Sequence, residues 1–410
     1  MLSVKEAQQK ILSHFEPLGS SFVALDEAAG RVLAEPIRAN ADLPSFDNSS
    51  VDGFALHAAD VSKTGQTLPL TLSVIADIPA GSSADIQLLP GQAARIMTGA
   101  PTPRGADAVV MIEDTDSNQH PAGTAAPNFV TVLKAVTNGE SIRRRGADLR
   151  TGQQVLPSGA ILRAQDIGML AMLGVPNVPV RKKPKVALVS SGDELLPVSE
   201  PLSPGKIHDS NSYTLAALAQ KAGCDVVRLG VASDRREAVE EMLDQAANLQ
   251  PDVIISSAGV SVGAFDFIKD VVESAGSLNF WKVNMRPGKP LAFGSYRNIP
   301  FFGLPGNPVS SFVGFLIFVQ PALERLGGVE TAEKAKVKVV LSEGIESDGR
   351  ESYLRAIVKR QNGSFIASLT GHQGSGNLFS LVQANALLII PSGVKSCPPG
   401  SEVEAWILEN

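Results

Sequence analysis

Acidic side chains follow three short apolar runs of the chain, near the point where each run ends. These acids are Asp193, Glu194, Asp234 and Asp266, and the runs are 185–189, 225–231 and 253–255. A few carboxylates together with substrate oxygens are the ligands that Mg²⁺ prefers. The pattern therefore predicts a magnesium site built from these loops.

Each of these acids also has a structural interpretation. Asp234 precedes Glu237 by three residues, the spacing of a helix N-cap, so it could only cap the helix predicted over 235–249. Asp266 falls in the first turn of a predicted helix, where the dipole favours a carboxylate. Asp193 and Glu194 form an acidic pair of the kind that is usually solvated. Both interpretations stay open at this stage.

The loop 256–263 is rich in small residues and separates a predicted strand from a predicted helix. Gly259, Ser261 and Gly263 leave room for backbone N–H groups to approach a ligand. A strand, a glycine-rich loop and a helix start together present N–H donors to an anion. The spacing matches neither the Rossmann nor the P-loop pattern, so an unassigned anion site is predicted.

Basic residues in two places could bind an oxyanion or a phosphate. Arg143, Arg144 and Arg145 precede a glycine, and Arg286 and Lys289 flank a Pro-Gly turn that gives their charges a fixed direction. The alternative for the three arginines is a solvated face. Further along, Arg350 and Arg355 could also reach an oxyanion, whereas 374–377 is interpreted as a flexible turn.

Two polar clusters in the N-terminal part of the chain could have a purely structural role. Asp52 lies in a polar stretch between Phe46 and Phe54, which could be an Asx-turn connection between domains. Thr98 lies where a strand enters a turn and could be structural. The five histidines, at 14, 57, 120, 208 and 372, show no ligand spacing, and no triad motif is present. Transition-metal and acyl-enzyme chemistry are therefore not expected.

The elements that must position these groups are strands alternating with helices over residues 178–328. This alternation predicts a doubly wound parallel α/β sheet with right-handed crossovers. All of its loops would meet at the carboxyl edge, where ligands bind in such folds. A fourth loop at that edge, 305–308, follows the predicted strand 301–304.

The rest of the chain predicts three further domains. Residues 1–45 and 138–177 form a discontinuous domain I, with helices over 4–15 and 26–34 and a third over 164–173. Residues 46–137 form a β-rich inserted domain II, the α/β unit is domain III, and 329–410 form a small β-barrel, domain IV.

Composition is that of an ordinary globular protein. Apolar residues make up 44% and charged residues 19% of the 410 residues, and the formal net charge is −6. This charge gives no reason to expect binding to nucleic acid or to an anionic membrane. The cysteines, Cys224 and Cys397, lack CxxC spacing and predict reduced thiols. The amphipathic start and the shortness of the most apolar run, 312–319, predict a cytoplasmic protein without a membrane span.

A series of short motifs, taken in chain order, resembles those of the molybdopterin molybdenumtransferases, the family of the bacterial MoeA proteins and of the E domain of gephyrin. The resemblance covers nearly the whole chain. The motifs are 46–53, 97–101, 143–146, 190–194, 259–263 with Asp266, 287–290 and 303–308.

The resemblance implies an elongated homodimer of four-domain subunits, with an active cleft between domain III of one subunit and domain II of the other. It also implies the reaction, which is the Mg²⁺-dependent insertion of molybdate into adenylylated molybdopterin with release of AMP. The molybdopterin adenylyltransferase and recipient molybdoenzymes are the further partners that it implies.

The resemblance also implies roles for single residues. The residues expected to be catalytic are Asp52, Thr98, Glu194, Asp234 and Asp266. Of these, Glu194, Asp234 and Asp266 are expected to hold Mg²⁺. The residues expected to contact the organic substrate are Ser190, Ser191, Gly192, Asp193, Gly259, Ser261, Gly263, Pro305, Gly306, Asn307, Arg143, Arg144 and Asp148. The residues expected to bind molybdate are Arg286, Lys289, Ser310, Arg350 and Ser375.

Two other functions remain to be weighed. A molybdopterin adenylyltransferase resembles residues 178–328 alone, but it needs neither the residues in front nor the barrel behind. A non-catalytic scaffold is the second alternative, since the E domain of gephyrin also clusters a receptor. The intact set of acidic residues argues against that role. Tungstate in place of molybdate also remains open.

We expect Asp266→Asn to abolish AMP release and to leave the fold intact, because the change removes the only predicted carboxylate of its loop. AMP release can be followed by chromatography and the fold by circular dichroism. Near-normal turnover of the variant would remove Asp266 from the catalytic set.

Overall fold

The computed structural model describes residues 1–62, 68–119, 124–258, 264–329 and 335–408, and within helices and strands it leaves the side chains of 258, 264–266, 280 and 281 undescribed. The chain divides into two compact units. The larger unit comprises Met1–Glu35, Ser158–Gly168 and Pro176–Asn410, and the smaller unit comprises Pro36–Pro157 and Met169–Val175.

The smaller unit is built on a five-stranded sheet. Its strands in spatial order are Ala108–Met111, Gly53–Leu56, Gln92–Ile96, Leu70–Ile78 and Phe129–Val132. Only Leu70–Ile78 and Gln92–Ile96 run parallel to each other. This sheet confirms the β-rich character predicted for residues 46–137. Short antiparallel pairs join Asn48–Ser49 to Ile142–Arg143 and Ile37–Arg38 to Gln154–Leu156.

The sheet of the smaller unit buries apolar side chains on both faces. Phe54 and Val110 belong to one cluster, and Ala55 and Val109 belong to the other, as the alternation of side chains along a strand requires. Gly53 opens its strand because a Cβ there would lie 1.9 Å from the carbonyl oxygen of Val110. The glycine therefore permits the strand that follows Asp52. Short 3₁₀ segments lie at Ala58–Asp60, Ile112–Asp114 and Asp116–Gln119.

The start of the chain confirms one predicted helix and corrects another. Val4–Leu12 is a helix that begins with a capping box of Ser3 and Glu6. The helix predicted over 26–34 is wrong, because that region holds only a 3₁₀ turn, Leu25–Glu27. The strand Ser20–Ala24 precedes it and pairs with Asn177–Arg181. Backbone bonds of Leu33 to Ala160 and Gly159 then hold the segment extended, so tertiary pairing overrides the local helical pattern.

The α/β part of the larger unit has a six-stranded sheet, which confirms the predicted fold class. In spatial order the strands are Asp225–Ala232, Lys185–Ser191, Val253–Ala258, Ile299–Leu304, Pro290–Tyr296 and Gly276–Lys282. The first four are parallel, and the last two add an antiparallel edge. The helices are Asn211–Lys221, Arg236–Asn248, Ala264–Ala275, Pro308–Gly314 and Gln320–Leu326, and Ala164–Met172 crosses the boundary between the two units.

Side chains of the central strand Lys185–Ser191 alternate between two cores. Val186 and Leu188 pack in the larger cluster with Phe15, Phe293 and Phe302. Ala187 and Val189 pack on the opposite face, against the helices Arg236–Asn248 and Ala264–Ala275. A strand buried on both faces explains the continuous apolar run in the sequence.

The helical segment Pro308–Leu326 is long and apolar enough to span a membrane by length and composition alone, although 72% of its window is buried within the protein. It contains a π-helical turn, Phe315–Val319, whose side chains are all buried. This burial is that of a core helix, so its hydropathy is weak evidence for a membrane span.

The C-terminal part of the larger unit is the predicted small barrel. Its five strands are Lys336–Leu341, Glu351–Gln361, Ser364–Leu369, Ala386–Ile390 and Glu402–Ile407. Glu351–Gln361 pairs with both Ser364–Leu369 and Ala386–Ile390, which closes the barrel. The short strand Met285–Arg286 joins it in parallel. Other short elements are the helix Phe379–Gln383 and the strand pairs Ile345–Glu346 with Ser396–Cys397 and Leu195–Leu196 with Ile207–His208.

We expect Phe302→Ala to lower the free energy of unfolding of the larger unit by about 3–5 kcal/mol. Phe302 is fully buried, and its ring centroid lies 6.0 Å from that of Phe15 and 4.9 Å from that of Phe293. Both tryptophans, Trp281 and Trp406, belong to this unit, so urea unfolding followed by tryptophan fluorescence reports on it.

The control is Phe22→Ala, since Phe22 is 73% exposed and its loss should change the free energy of unfolding by less than about 0.5 kcal/mol. Equal effects of the two substitutions would contradict the assignment of Phe302 to the core.

Candidate functional site

The acidic loops of two neighbouring parallel strands are joined at the carboxyl edge of the α/β sheet. The backbone N–H of Asp193 donates to Asp234 Oδ2 at 3.3 Å, and the N–H of Asp234 donates to Asp193 Oδ1 at 3.0 Å. The N-cap of the following helix is Arg235, without a side-chain cap. Asp234 therefore does not cap that helix, and the structural interpretation of this acid is wrong.

Asp234 lies in an electrostatically unfavourable place for an anion. Burial raises the pKa of its carboxyl, the negative charges of Asp193 and Glu194 raise it further, and the N–H of Asp193 partly opposes them. Its Oδ1 atom is buried without a hydrogen-bond partner in the structure. The Glu194 carboxylate folds back over Gly192, where a Cβ would lie 2.7 Å from Oε2. Such a group of carboxylates favours a bound cation.

Ser190, at the end of its strand, is hydrogen-bonded to a buried aspartate. Its hydroxyl donates to Asp209 Oδ2 at 3.1 Å and lies 2.9 Å from the hydroxyl of Ser257, and all three residues are buried. Asp209 also accepts the N–H of Ser212 at the start of a helix. The sequence reasoning missed Asp209, although Asp is one of the residue types favoured next to a helix start. By contrast, the hydroxyl of Ser191 is buried and unpartnered in the structure.

Other predicted members of this edge are described only in part. Gly259, Ser261 and Gly263 lie outside the described residues, and Asp266 lies in the helix Ala264–Ala275 with its side chain undescribed. In the fourth loop, which holds Pro305, Gly306 and Asn307, the carbonyl of Gly306 accepts a hydrogen bond from Asn211 at 2.8 Å. Asn307 is the N-cap residue of the helix Pro308–Gly314 but makes no side-chain cap bond.

A buried arginine lies inside the barrel. Arg355 is fully buried, its Nε donates to the Ser380 hydroxyl at 2.9 Å, and its Nη2 donates to the carbonyl of Gly374 at 2.9 Å. Burial lowers the pKa of the guanidinium to about 10, and the charge of Arg286 adds to this effect. In the part of the chain that the structure describes, no carboxylate forms an ion pair with Arg355. A buried cation without a counter-ion is costly unless an anion binds.

Several predicted oxyanion residues are close to this arginine in sequence or space. The carbonyl of Ser375, next to Gly374, accepts the N–H of Val309 at 3.0 Å, which places this loop at the start of the helix Pro308–Gly314. Ser310 is buried in that helix start. Gly288, with φ +95°, approaches it so closely that a Cβ would lie 3.4 Å from the Ser310 carbonyl oxygen.

The two remaining predicted arginines of this group share one carboxylate. Arg350 Nε donates to Asp348 Oδ2 at 3.0 Å, and Arg286 Nη1 lies 4.0 Å from the same oxygen. Arg350 Nη1 also donates to the carbonyl of Met285 at 3.2 Å. Lys289 is exposed, and its carbonyl accepts the N–H of Val283. Asp348 was not among the predicted residues, because nothing local in the sequence indicates its contact with Arg286.

In the smaller unit, Asp52 and Thr98 form a compact polar pair. The backbone N–H and the hydroxyl of Thr98 both donate to Asp52 Oδ1, each at 2.7 Å. These bonds lower the pKa of the Asp52 carboxyl, the backbone N–H most. Gly99, with φ +81°, makes the turn that aims both donors at one oxygen. The pair holds an ionised carboxylate on a rigid strand end.

Each of the three consecutive arginines of the smaller unit has an aspartate partner. Arg143 pairs with Asp148, Arg144 with Asp47 at 2.7 Å, and Arg145 with Asp42 at 2.6 Å. The arginine side chains are 51%, 54% and 64% exposed, so they can exchange these partners for an anionic ligand. The three arginines are therefore exposed, as the alternative of a solvated face predicts, and each is also paired with an aspartate.

The described members of the predicted set thus fall into four groups. The carboxyl-edge group and the barrel group lie in the larger unit, and the Asp52–Thr98 pair and the three paired arginines lie in the smaller unit. Within the described ranges, no set of three or more His, Cys, Asp or Glu side chains converges into a metal cage.

Family models match nearly the entire chain. Residues 2–174 match the MoeA N-terminal region, domains I and II, residues 187–325 match a probable molybdopterin-binding domain, and residues 338–408 match the MoeA C-terminal region, domain IV. The fold is thus that of a protein of the MoeA class, with a probable molybdopterin-binding domain at its centre.

Curated relatives and solved structures agree with these matches. The molybdopterin molybdenumtransferase of Nostoc sp. is 38% identical, over 98% of this chain and 93% of its own length. That of Bacillus subtilis is 36% identical, over 99% of this chain and 94% of its own length. The crystal structure of the molybdopterin biosynthesis MoeA protein from Pyrococcus horikosii superposes with a TM-score of 0.84 at 30% identity, over the whole of both chains.

The chain therefore belongs to the molybdopterin molybdenumtransferase family. It is a transferase of molybdenum cofactor biosynthesis, which confirms the family and the enzyme class expected from the sequence motifs.

We expect Asp234→Asn to raise the free energy of unfolding of the larger unit at pH 7. Because the folded protein raises the pKa of Asp234, the ionised carboxylate costs stability above that pKa. The gain follows from linkage, because the substitution removes a carboxylate whose ionisation the fold opposes. It should shrink as the pH falls through the folded pKa and vanish below the ordinary pKa of 3.8, where Asp234 is neutral in both states.

Urea unfolding followed by tryptophan fluorescence at pH 7 and at about pH 3 measures this difference. Asp270→Asn, at an exposed position of the helix Ala264–Ala275, is the matched control. A loss of stability at pH 7, or a gain that does not depend on pH, would contradict the assigned cause.

Proposed function

We propose that the chain catalyses the Mg²⁺-dependent insertion of molybdate into adenylylated molybdopterin, with release of AMP. The single observation that carries this proposal is the buried Arg355, whose guanidinium binds carbonyls and a hydroxyl and has no carboxylate partner among the described residues. Molybdate is a dianion, and a buried guanidinium next to hydroxyl donors suits its oxygens.

The oxyanion would lie in the barrel group. Arg355 supplies a fixed charge, and the loop that holds Ser375 is tied to the helix start that holds Ser310. Arg286 and Lys289 flank a turn whose close approach to Ser310 fixes their direction. Arg350 extends the cationic surface at the barrel edge. We assign molybdate binding to this group, with Arg355 added to the residues implied by the family motifs.

The adenylyl phosphates would lie at the carboxyl edge. Mg²⁺ binds through one or two carboxylates and leaves its other positions to water and phosphate, so it does not need a complete protein cage. Asp234 fits this role, because its Oδ1 is buried without a partner and the charge of Glu194 is near. We propose that Asp234 and Glu194, together with Asp266, hold the ion. When bound, Mg²⁺ would offset the negative charge of the phosphates.

The remaining residues of the edge would orient the nucleotide rather than react. The free hydroxyl of Ser191 and the N–H groups of the loop that carries Gly192 and Asp193 are donors for phosphate oxygens. Asp52, kept ionised by Thr98, could orient a water molecule or a cationic group. Arg143 and Arg144 would exchange their aspartate partners for substrate anions.

Further features of the proposal rest on the family motifs. They are the division into domain I (1–45 and 138–177), domain II (46–137), domain III (178–328) and domain IV (329–410), a homodimer, a cytoplasmic location, and contacts with the molybdopterin adenylyltransferase and with recipient molybdoenzymes. Sedimentation of the purified protein tests the homodimer.

The adenylyltransferase is the second candidate function, and a specific observation weighs against it. The family models for the regions before and after the α/β domain match as well, and those regions hold the Asp52–Thr98 pair and Arg355. An enzyme that used the α/β domain alone would need neither group.

The test is to incubate the protein with adenylylated molybdopterin and Mg²⁺, with and without molybdate, and to measure AMP. Molybdate-dependent release of AMP supports the proposal. Adenylylation of molybdopterin from ATP, without that release, would assign the chain to the preceding step. The absence of both activities would favour a binding scaffold.

We expect Arg355→Lys to raise the molybdate concentration needed for half-maximal AMP release at least tenfold, because lysine cannot reproduce the bonds to Ser380 and Gly374. Arg360→Lys is the matched control, since Arg360 is exposed on the same strand, Glu351–Gln361. An unchanged molybdate requirement in Arg355→Lys would contradict the assignment of the oxyanion to this group.

A further inference from the structure

The carboxylate of Asp348 lies between two arginines that belong to the proposed oxyanion site. Its Oδ2 accepts a hydrogen bond from Arg350 Nε at 3.0 Å and lies 4.0 Å from Arg286 Nη1. Its Oδ1 accepts the backbone N–H of Arg350 at 3.1 Å. One carboxylate oxygen is thus shared by guanidinium groups from two separate segments of the chain.

The turn around Asp348 fixes this position. Gly349, with φ +83°, donates its N–H to the Ser347 hydroxyl at 3.3 Å. Arg350 Nη1 is bonded separately to the carbonyl of Met285 at 3.2 Å. Arg350 therefore keeps an anchor on the segment that carries Arg286 if Asp348 moves away. The guanidinium of Arg350 can then donate its hydrogen bonds to another oxygen in place of the carboxylate.

Two guanidinium groups around one anionic oxygen are also what an oxyanion such as molybdate would require. We propose that Asp348 is an internal competitor for this oxyanion, so that it raises the molybdate concentration needed to fill the site. This inference rests on the proposed function, because it assigns Arg286 and Arg350 to oxyanion binding.

The exposure of the three groups permits the exchange. The side chain of Asp348 is 38% exposed, and those of Arg350 and Arg286 are 29% and 44% exposed. An ion pair at such a position is worth little in water, so an incoming dianion can displace the carboxylate. A monoanion gains less from the same two cations and competes less well. Asp348 would therefore also select for doubly charged oxyanions.

Arg355 differs from this pair in having no carboxylate to displace among the described residues. The oxyanion site would then contain one buried cation in the barrel that no described carboxylate covers, and two cations that Asp348 covers. A purely structural role for Asp348 predicts the opposite behaviour, because removal of its charge would loosen Arg350 and weaken anion binding.

The test measures binding of sodium molybdate to the full-length protein by isothermal titration calorimetry. The inference predicts that Asp348→Asn lowers the dissociation constant about fivefold, the order expected from release of a partly exposed ion pair. Asp348→Ala should do the same, which excludes an effect of the asparagine amide. Sodium sulfate as a competing dianion and sodium nitrate as a monoanion then test the selectivity.

Glu402→Gln is the matched control, because Glu402 is an exposed barrel acid that pairs with Lys338 and contacts neither arginine. This variant should bind molybdate as the unchanged protein does. The inference is overturned if both Asp348 variants keep their circular dichroism but bind molybdate no more tightly than the unchanged protein. It is also overturned if none of the proteins binds molybdate.

The AMP assay on the unchanged protein separates this inference from the proposed function. Molybdate-dependent AMP release without tighter binding by the Asp348 variants would leave the function standing and remove the competitor. Tighter binding by those variants without AMP release from the unchanged protein would support the competitor and remove the function.

Discussion

The rest of the site depends on the burial of a guanidinium without a counter-charge. Arg355 is held inside the barrel by Ser380 and by the carbonyl of Gly374, and its pKa is lowered to about 10. Leaving a buried charge uncompensated costs several kcal/mol. Because the described part of the protein supplies no carboxylate to it, the charge is best explained by an anion that arrives with the substrate.

The carboxyl edge of the α/β sheet has the opposite character. There Asp193, Glu194 and Asp234 are held close enough for their charges to raise the pKa of Asp234. One group favours a cation and the other an anion, and both lie in the larger unit. The reaction proposed above brings an oxyanion to a phosphate-bearing substrate and would need both kinds of site, which this division of charge provides.

The sequence predicted the parallel strands with the acids that follow them, and it predicted the barrel. Apolar runs and the alternation of apolar with polar residues are local signals of strands. The sequence did not predict the extended segment after Ala24, where pairing with distant residues overrides a helical pattern. It named Arg355 only as one of several cations, since neither its burial nor the lack of a counter-ion can be read from neighbouring residues. The contact of Asp348 with Arg286 could not be predicted from neighbouring residues either, because it joins positions far apart in the chain.

The central claim is that Arg355 and the loop of Ser375 bind the oxyanion. Anomalous diffraction from crystals of the protein soaked in sodium tungstate, a heavy analogue of molybdate, tests it most directly. The account predicts an anomalous peak within hydrogen-bonding distance of the Arg355 guanidinium and the Ser375 hydroxyl. Tungsten bound only at other positions, with Arg355 unchanged and no anion beside it, would contradict the account.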